Sequence, residues 1–509
     1  PDRLMLFKRF YDENLAQASY MIGCERTREA LVIDPTLDTA QYVRAAGADR
    51  LHIAHVTETH IHADFVSGAS ALAEAAGATL SLSGEGTREF VYTRQALKNA
   101  TPLRNGSRIS FGDIVVEALH TPGHTPEHLT FLVSDLARGD DPLGAFTGDF
   151  IFVGDVGRPD LLERAAGAAG TMQESARALY RSVRQFSRRP DHLQIWPGHG
   201  AGSACGKQLG LMPQSTLGYE KLFNWAFNTR SEKEFARHVL EDQPVPPRYF
   251  AIMKKVNREL TATPAQLPPP RLDVGDLSAL VDAETFIVDT RASERFAAAH
   301  IPGTLNIPYN KSFLNWCGAL VPFDREVVFI LESDADDATE LVCANLRKIG
   351  VTRIAGFASA DIVSDWKSKR HDVGTMRQVD ASAVATAAQS SDALILDVRA
   401  PDEWRRGHLP GALHIPLAAL PERIDEIDSS RSVIVHCKGG GRSAIASSFL
   451  QSVGRRNVAN MKGGYESWVA AGFDVVTDTS AAGTRARSKT KARKRSAKAK
   501  RPARKRAPK

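Results

Sequence analysis

His60-Ile61-His62-Ala63-Asp64 is followed along the chain by His124 in a TPGHT stretch, Asp149 in TGD and His199 in PGHG. Imidazoles and carboxylates together suit a borderline or harder divalent metal. The absence of cysteine from the cluster disfavours a structural zinc site and indicates a catalytic one. A second constellation lies far downstream, Cys437-Lys438-Gly439-Gly440-Gly441-Arg442-Ser443. Gly439, Gly440 and Gly441 let successive backbone N–H groups turn inward as an anion nest, and a helix predicted to begin near Ser443 adds partial positive charge. Such a loop stabilises a thiolate, so Cys437 reads as a nucleophile. Arg442 closes the loop and Lys438 faces an incoming anion.

The elements that must carry these residues alternate short β-branched runs with helical patterns. ALVIDP, LHIAHVTETH, DIVVEALHTPGHT, LGAFTGDFIF and HLQIWPGHG each read as a buried strand running into a polar or Gly/Pro loop, and every His/Asp cluster sits at such an end. Loops at strand ends converge on one rim of an α/β fold, which is where a site is expected. The proline-rich segment Thr261–Pro270 denies the chain both helix and ladder bonds and marks a domain boundary. Beyond it FIVDTRASERFAAAHIPGTLNIP (286–308) is echoed by LILDVRAPDEWRRGHLPGALHIP (394–416), a repeat of roughly 100 residues and long enough for a small domain per copy. Each copy has a later strand, VVFILES or SVIVHCK, and a following helix. The predicted domains are therefore 1–260, 272–374, 376–477 and a low-complexity basic tail, 480–509, too polar to order itself.

The chain's 509 residues exceed one ordinary core, and 43% hydrophobic with 24% charged residues describes a globular protein. The net charge of +6 belongs to the tail. Arg485–Lys509 holds 14 of the 65 Lys and Arg and no acid, leaving 51 basic against 59 acidic residues elsewhere. That tail suits weak, salt-sensitive contact with nucleic acid or another anionic surface, with mere solubility the alternative. Charges near the start interrupt any signal-peptide pattern, and no apolar run is long enough to span a membrane. Five cysteines, Cys24, Cys205, Cys317, Cys343 and Cys437, are few and odd in number, which suits free thiols in a reducing, cytoplasmic compartment.

The ordered His/Asp pattern resembles the metallo-β-lactamase superfamily, an αββα sandwich with the signature T-H-x-H-x-D-H and downstream His, Asp and His, over roughly the first 250 residues. Phe65 stands where two-metal hydrolases carry the last histidine of that signature. A single metal on two histidines and one carboxylate, with open positions, is the arrangement of non-haem Fe(II) oxygenases. Similarity to the persulfide dioxygenase branch implies one Fe(II) per chain on His60, His124 and Asp149, with His62, Asp64 and His199 orienting ligands or holding substrate. Gly157-Arg158-Pro159-Asp160 looks like the G-R-x-D segment of that branch, which implies that Arg158 faces the carboxylate of the carrier thiol; a structural salt bridge is the other reading. Cys205, in GAGSACGK, is placed to contact a sulfur substrate or to be a plain core thiol. His52, His55 and His120 carry no assigned role.

The repeats, with D-x-R, then G/A-H-L/I-P-G-A/T-x-x-I-P, and in the second copy a cysteine loop and G-G-Y-x-x-W, resemble the rhodanese sulfurtransferases. In the first copy Leu331-Glu332-Ser333-Asp334-Ala335-Asp336-Asp337 replaces the loop, so that domain is expected to be a non-catalytic spacer that docks the other two, with Cys343 in its core. The resemblances imply an α/β chain in which a low-molecular-weight persulfide, of glutathione, coenzyme A or another thiol, is oxidised by O2 to sulfite and thiol. Cys437 would then link persulfide, sulfite and thiosulfate in either direction. Family members often form homo-oligomers. A glyoxalase-II-like thioester hydrolase and a sulfur carrier with an inert metal domain are the competing readings; Phe65 counts against the first and the intact His60, His124 and Asp149 set against the second.

Overall fold

A computed structural model describes residues 5–477 apart from 88–89, 165–169, 208, 242, 244, 261–268, 284, 333–335 and 390–392. Most of the expected linker, residues 333–335 of the first repeat's loop and the whole basic tail lie outside the described residues. The chain divides into two compact units, Pro1–Gly374 and Thr375 onward. Among the described residues no helix is long and apolar enough to cross a membrane.

The N-terminal part of the first unit is an αββα sandwich. One sheet runs in chain order through β1 (Met5–Asp12), β2 (Gln17–Cys24), β3 (Glu29–Ile33), β4 (His52–Thr57), β5 (Thr79–Ser83) and β6 (Thr101–Leu103). The other contains β7 (Arg108–Phe111), β8 (Ile114–His120), β9 (Leu129–Asp135), β10 (Gly144–Gly148), β11 (Gln194–Pro197) and β12 (Ser215–Thr216), again with sequential neighbours. Side chains alternate across each strand. Ala18, Tyr20, Ile22, Leu31 and Ile33 meet Val116, Ala118, Phe131, Val133 and Phe146 between the sheets. Met21, Ala30 and Val32 face outward onto helices with Tyr42, Ala46 and Leu72, and Leu132, Ala145 and Ile195 pack against Leu179 and Val183 of the helix Thr171–Phe186. Because both faces are covered, the strands read as nearly unbroken apolar runs.

The β1–β2 hairpin was not foreseen in the sequence. Lys8 and Arg9 interrupt β1, yet Met5 and Phe7 pack into the inner core while Leu6 and Phe10 pack on the outer face. The five strands that were foreseen are β3, β4, β8, β10 and β11, and each delivers a site residue or its support just past its end.

Each repeat folds into its own parallel sheet. The first, in the first unit, is ordered β14 (Leu305–Asn306), β13 (Phe286–Asp289), β15 (Val327–Leu331), β16 (Ile354–Ser359), with Arg271 bridging to Phe357 at the outer edge. The second unit is ordered β17 (Arg377–Val379), β21 (Val458–Met461), β20 (Ser432–His436), β18 (Ala393–Asp397), β19 (Leu413–His414). The shared D-x-R motif is structural in each copy. Arg291 forks onto Asp289 and donates to the Ala299 carbonyl, and Arg399 does the same with Asp397 and Gly407.

Candidate functional site

The ends of β4, β8, β10 and β11 bring the first cluster together. One ligand atom each from His60, His124 and Asp149 lies within 4.8 Å of the others, all three residues buried. The Asp149 Oδ2 atom is 3.9 Å from His60 Nε2 and 3.5 Å from His124 Nε2. Asp64, His199 and Cys205 form an adjoining group with the same spread. His199 Nε2 is 3.5 Å from Asp149 Oδ1 and 3.2 Å from Asp64 Oδ2.

Hydrogen bonds fix which imidazole nitrogen faces the centre. The Thr59 hydroxyl donates to Asp34 at 2.9 Å, so it accepts from His60 Nδ1–H, also at 2.9 Å. His124 Nδ1 donates to the Arg158 carbonyl at 2.9 Å and His199 Nδ1 to the Ala16 carbonyl at 3.0 Å. Each Nε2 lone pair is thereby left for an electrophile. Burial, then neighbouring His62, His124 and His128, push His60 far below its ordinary value; burial, then His128 and Lys254, act likewise on His124. Both shifts favour the neutral ring, the form that binds metal.

Asp149 is fully buried, and no N–H or O–H group among the described residues donates to either carboxylate oxygen. Burial, opposed by His199, pushes its carboxyl up to about 6. The Cys205 thiol meets it as a weak donor, and a buried carboxylate so poorly satisfied is costly unless a cation neutralises it, so this set fits a divalent metal. Gly157 and Gly198 make room: a Cβ on Gly157 would lie 1.8 Å from the Asp149 carbonyl oxygen, and one on Gly198 2.9 Å from Asp149 Oδ1.

The other expected residues divide. Asp64, His199 and Cys205 face the centre. His62 instead spends its Nε2 on Asp34 at 3.1 Å; burial disfavours its charge, but Asp34, Glu58 and Asp64 outweigh burial and raise it to about 9. Of the two readings of Arg158, the geometry contains the salt bridge. Its guanidinium is fully buried, with bonds of 2.8 Å from Nε and Nη2 to Asp160 and a 3.1 Å bond to the Ala204 carbonyl. Burial, then Asp64 and Asp149, push the Cys205 thiol far up. Phe65 is buried beside His62, ring centroids 4.4 Å apart.

Three supports escaped the sequence reading. Asp34, at the end of β3 with a φ of +54°, accepts from the Thr59 amide at 2.6 Å as well as from its hydroxyl and from His62. His128, lowered to about 3 by burial, accepts the Asp149 amide N–H at 3.2 Å while its Nδ1 donates to Thr121. Asn257 donates to the His62 and Phe65 carbonyls at 2.8 and 2.7 Å and accepts from Ser67 N–H at 2.9 Å. An outward-positive φ on a non-glycine is an unusual conformation, but it cannot be read from sequence.

In the second unit, Cys437 follows β20 and the next helix runs Gly441–Ser452, starting two residues before the expected Ser443. Gly440, with a φ of +104°, turns its N–H onto Cys437 Sγ at 3.1 Å, and the Ser443 hydroxyl approaches at 3.5 Å. The G-G-Y stretch closes over the loop. Tyr465 N–H donates to the Cys437 carbonyl at 2.7 Å and Glu466 N–H to the Lys438 carbonyl at 3.0 Å, while a Cβ on Gly464 would strike that Cys437 carbonyl at 2.3 Å. Arg442 is forked on Glu403 at 2.6 and 2.8 Å, a partner the sequence did not reveal, and Lys438 lies 3.6 Å from Glu466. In the first repeat Leu331 holds the register position of Cys437, since Ile330 pairs with Asp289 as His436 pairs with Asp397, and the next residue, Glu332, pairs with Arg295. Cys343 is half-buried on the helix Asp336–Lys348, and all five cysteines are free thiols.

Comparison with known proteins agrees with this division. Residues 13–199 match the metallo-beta-lactamase superfamily, and 273–359 and 380–471 each match the rhodanese-like domain. The mitochondrial persulfide dioxygenase ETHE1 of Homo sapiens is 26% identical over 226 residues, 43% of this chain and 78% of that protein. A sulfurtransferase of Allochromatium vinosum is 32% identical over 102 residues, 20% of this chain and 95% of that protein. The crystal structure of a metallo-beta-lactamase from Staphylococcus aureus superposes with a TM-score of 0.63 at 40% identity, covering 70% of this chain and 99% of that one.

Proposed function

The chain belongs to the metallo-β-lactamase superfamily in its N-terminal part and to the rhodanese-like family in two further folds, and from that premise we propose that it is a persulfide dioxygenase joined to a sulfurtransferase. The observation that carries the reading is the buried Asp149 carboxylate, met by one weak thiol donor and facing the Nε2 atoms of His60 and His124, in a chain that also bears the Cys437 loop. Two histidines and one carboxylate suit a single Fe(II). When bound there, iron would supply the redox chemistry that joins O2 to sulfur, for the overall change RSSH + O2 + H2O to RSH and sulfite with its protons.

The chain's own groups supply position and exclusion. His124 and His60 are held in one tautomer by Arg158 and Thr59, and Asp149 by the His128 contact to its amide, so the ligand atoms need no rearrangement. Buried Phe65, Phe152 and Cys205 keep water from the rear of the site. A cavity of about 550 Å³ lies against the Pro122–Gly123 turn that precedes His124, outside the ring of ligand residues. The two oxygens go to the outer sulfur, and the thiol leaves with a proton.

At Cys437 a sulfane sulfur is taken up as a cysteine persulfide, whose charge the Gly440 N–H and the Ser443 hydroxyl stabilise. Attack by sulfite on the outer sulfur releases thiosulfate and returns the thiolate. The reverse direction would feed persulfide to the metal site. Free thiols throughout support a reducing, cytoplasmic setting.

Anaerobic reconstitution with Fe(II), then O2-electrode recording with the persulfides of glutathione and coenzyme A, tests both activities. Wild type and Cys437→Ser should both consume O2, with thiosulfate replaced by sulfite in the variant. No uptake with either persulfide, but hydrolysis of a glutathione thioester, would transfer the case to a glyoxalase-II-like enzyme.

A further inference from the structure

We propose that the first rhodanese-like fold, which has Leu331 where its sister has Cys437, is a fixed wall of the metal site, holding the loop that carries His60 and the turn that orients His199. The inference rests on the metal reading of His60, His124 and Asp149, and it concerns Lys348 and Asn257 as positioning residues.

The chain between β4 and the helix Ala69–Ala76 carries His60, His62 and Asp64 without regular structure, apart from a bridge of Ser67 to Thr36. Buried backbone groups in such a loop need partners from elsewhere. Asn257, itself buried, satisfies the carbonyls of His62 and Phe65 and the N–H of Ser67. The Val66 N–H between them is satisfied by the first rhodanese-like fold, donating to the Lys348 carbonyl at 2.6 Å.

Lys348 grips a second loop with its other end. Its ammonium lies 2.6 Å from Asp12 Oδ2 in a largely buried pair and 3.0 Å from Asn345 Oδ1. The second oxygen of Asp12 accepts the N–H groups of Asn14 and Leu15 at 3.0 and 3.2 Å, shaping the turn that ends at Ala16, whose φ is +50°. The Ala16 carbonyl is the acceptor that orients His199. One residue of the fold that lacks the loop cysteine therefore fixes the loop of His60 and the turn behind His199.

The helix Tyr249–Glu259, which carries Asn257, is clamped between the same two bodies. Tyr249, Met253 and Asn257 recur every fourth residue and share one stripe of that helix. A Cβ on Gly318 would lie 2.3 Å from the Tyr249 ring and one on Gly350 2.3 Å from Met253 Cε, so the rhodanese-like backbone touches this stripe with no space left. Tyr249 and Phe323 rings lie nearly parallel with centroids 6.4 Å apart. Displacing the domain moves Asn257, and Asn257 moves the loop.

The test uses the full chain with Co(II) in place of iron, reading the visible spectrum and the affinity by chelator competition, with amide exchange at Val66 followed in parallel. Lys348→Met keeps the Val66 acceptor but drops the Asp12 pair. Gly318→Leu wedges the seam under Tyr249, and Asn257→Ala removes the link itself. Each should weaken Co(II) binding by about tenfold or more, shift the spectrum and speed exchange at Val66, as losses of ligand-orienting contacts do. Wild-type affinity and spectrum in Lys348→Met and Gly318→Leu, with exchange in 313–320 accelerated, would overturn the proposal. Should Gly318→Leu fail to fold, Lys348→Met decides alone. Far-UV circular dichroism and the denaturant midpoint of the full chain serve as the folding control, because Cys437 lies in the other unit. Because metal binding needs no turnover, a chain that shows these losses yet consumes no O2 would sink the dioxygenase reading and leave the wall standing.

Discussion

The Nδ1–H of His124 donates to the carbonyl oxygen of Arg158 across 2.9 Å, and the Arg158 side chain is locked onto Asp160 by two bonds of 2.8 Å. A metal-facing imidazole thus takes its orientation from a backbone that a buried ion pair holds still. Breaking such a pair on one side leaves an uncompensated buried charge and costs about 3–5 kcal/mol. Arg158→Met and Asp160→Ala should each lose that much in urea denaturation. Metal affinity should fall about 10–100-fold with it, since the carbonyl moves. An Arg158→Met variant of full stability, altered only in KM for a carboxylate-bearing persulfide, would instead make Arg158 a substrate contact.

Gly157 and Gly47 give opposite results on the same substitution. A methyl on Gly157 would sit 1.8 Å from the Asp149 carbonyl oxygen and 3.2 Å from His124 Cβ, and the first of these is backbone that cannot swing away. Gly157→Ala should abolish metal uptake in a direct titration. Gly47 lies in the helix Thr39–Ala48 with nothing near its missing Cβ. Alanine there should raise stability by about 0.5–1 kcal/mol, the usual cost of a helical glycine. Equal melting curves and metal titrations for the two variants would contradict this steric account.

The ligands were legible because each ends a strand inside a short ordered motif, and the Cys437 loop because its glycines are contiguous. The supports were hidden because their partners are remote. Asp34 acts on Thr59 25 residues away, His128 on Asp149 21 residues away, and Asn257 on His62 195 residues away. Glu403 could not be matched to Arg442, 39 residues on, until the sheet order placed the two together. Arg158 shows the converse: the G-R-x-D segment was visible, but the sequence could not say that Asp160 within the same motif takes the guanidinium. β1 was missed because Lys8 and Arg9 mask an alternation that only the two cores on either side of it make plain.

Arg442 and Glu403 make the loop of Cys437 sensitive to acid. Burial alone would raise the Glu403 carboxyl, but the Arg442 pair outweighs it and holds the group below its ordinary value of 4.5. A carboxylate whose folded value is depressed adds stability that is present above the unfolded value and is lost as pH falls through the folded one. The stability gap between wild type and Glu403→Gln should therefore be full near neutral pH, begin to close below the ordinary value and vanish in stronger acid. A gap that stays constant through this range would show that the pair does not stabilise the fold. Denaturant midpoints measured across the acid range give the answer.

Asp64, His199 and Cys205 lie as close together as the first three ligands, so the number of metals bound is a real question of chemistry. The thiolate, and not the thiol, is the ligand form of cysteine. Burial together with Asp64 and Asp149 pushes the Cys205 thiol far above its ordinary value, which disfavours the thiolate that a second cation would need. The position that would add an imidazole is filled by the buried, apolar Phe65. Metal analysis of the reconstituted chain should give one Fe per chain, unchanged in Cys205→Ser, while His124→Ala should bind almost none. Two metals in wild type falling to one in Cys205→Ser would mean that a cation removes the thiol proton on binding, and the single-iron account would have to yield to a two-metal site.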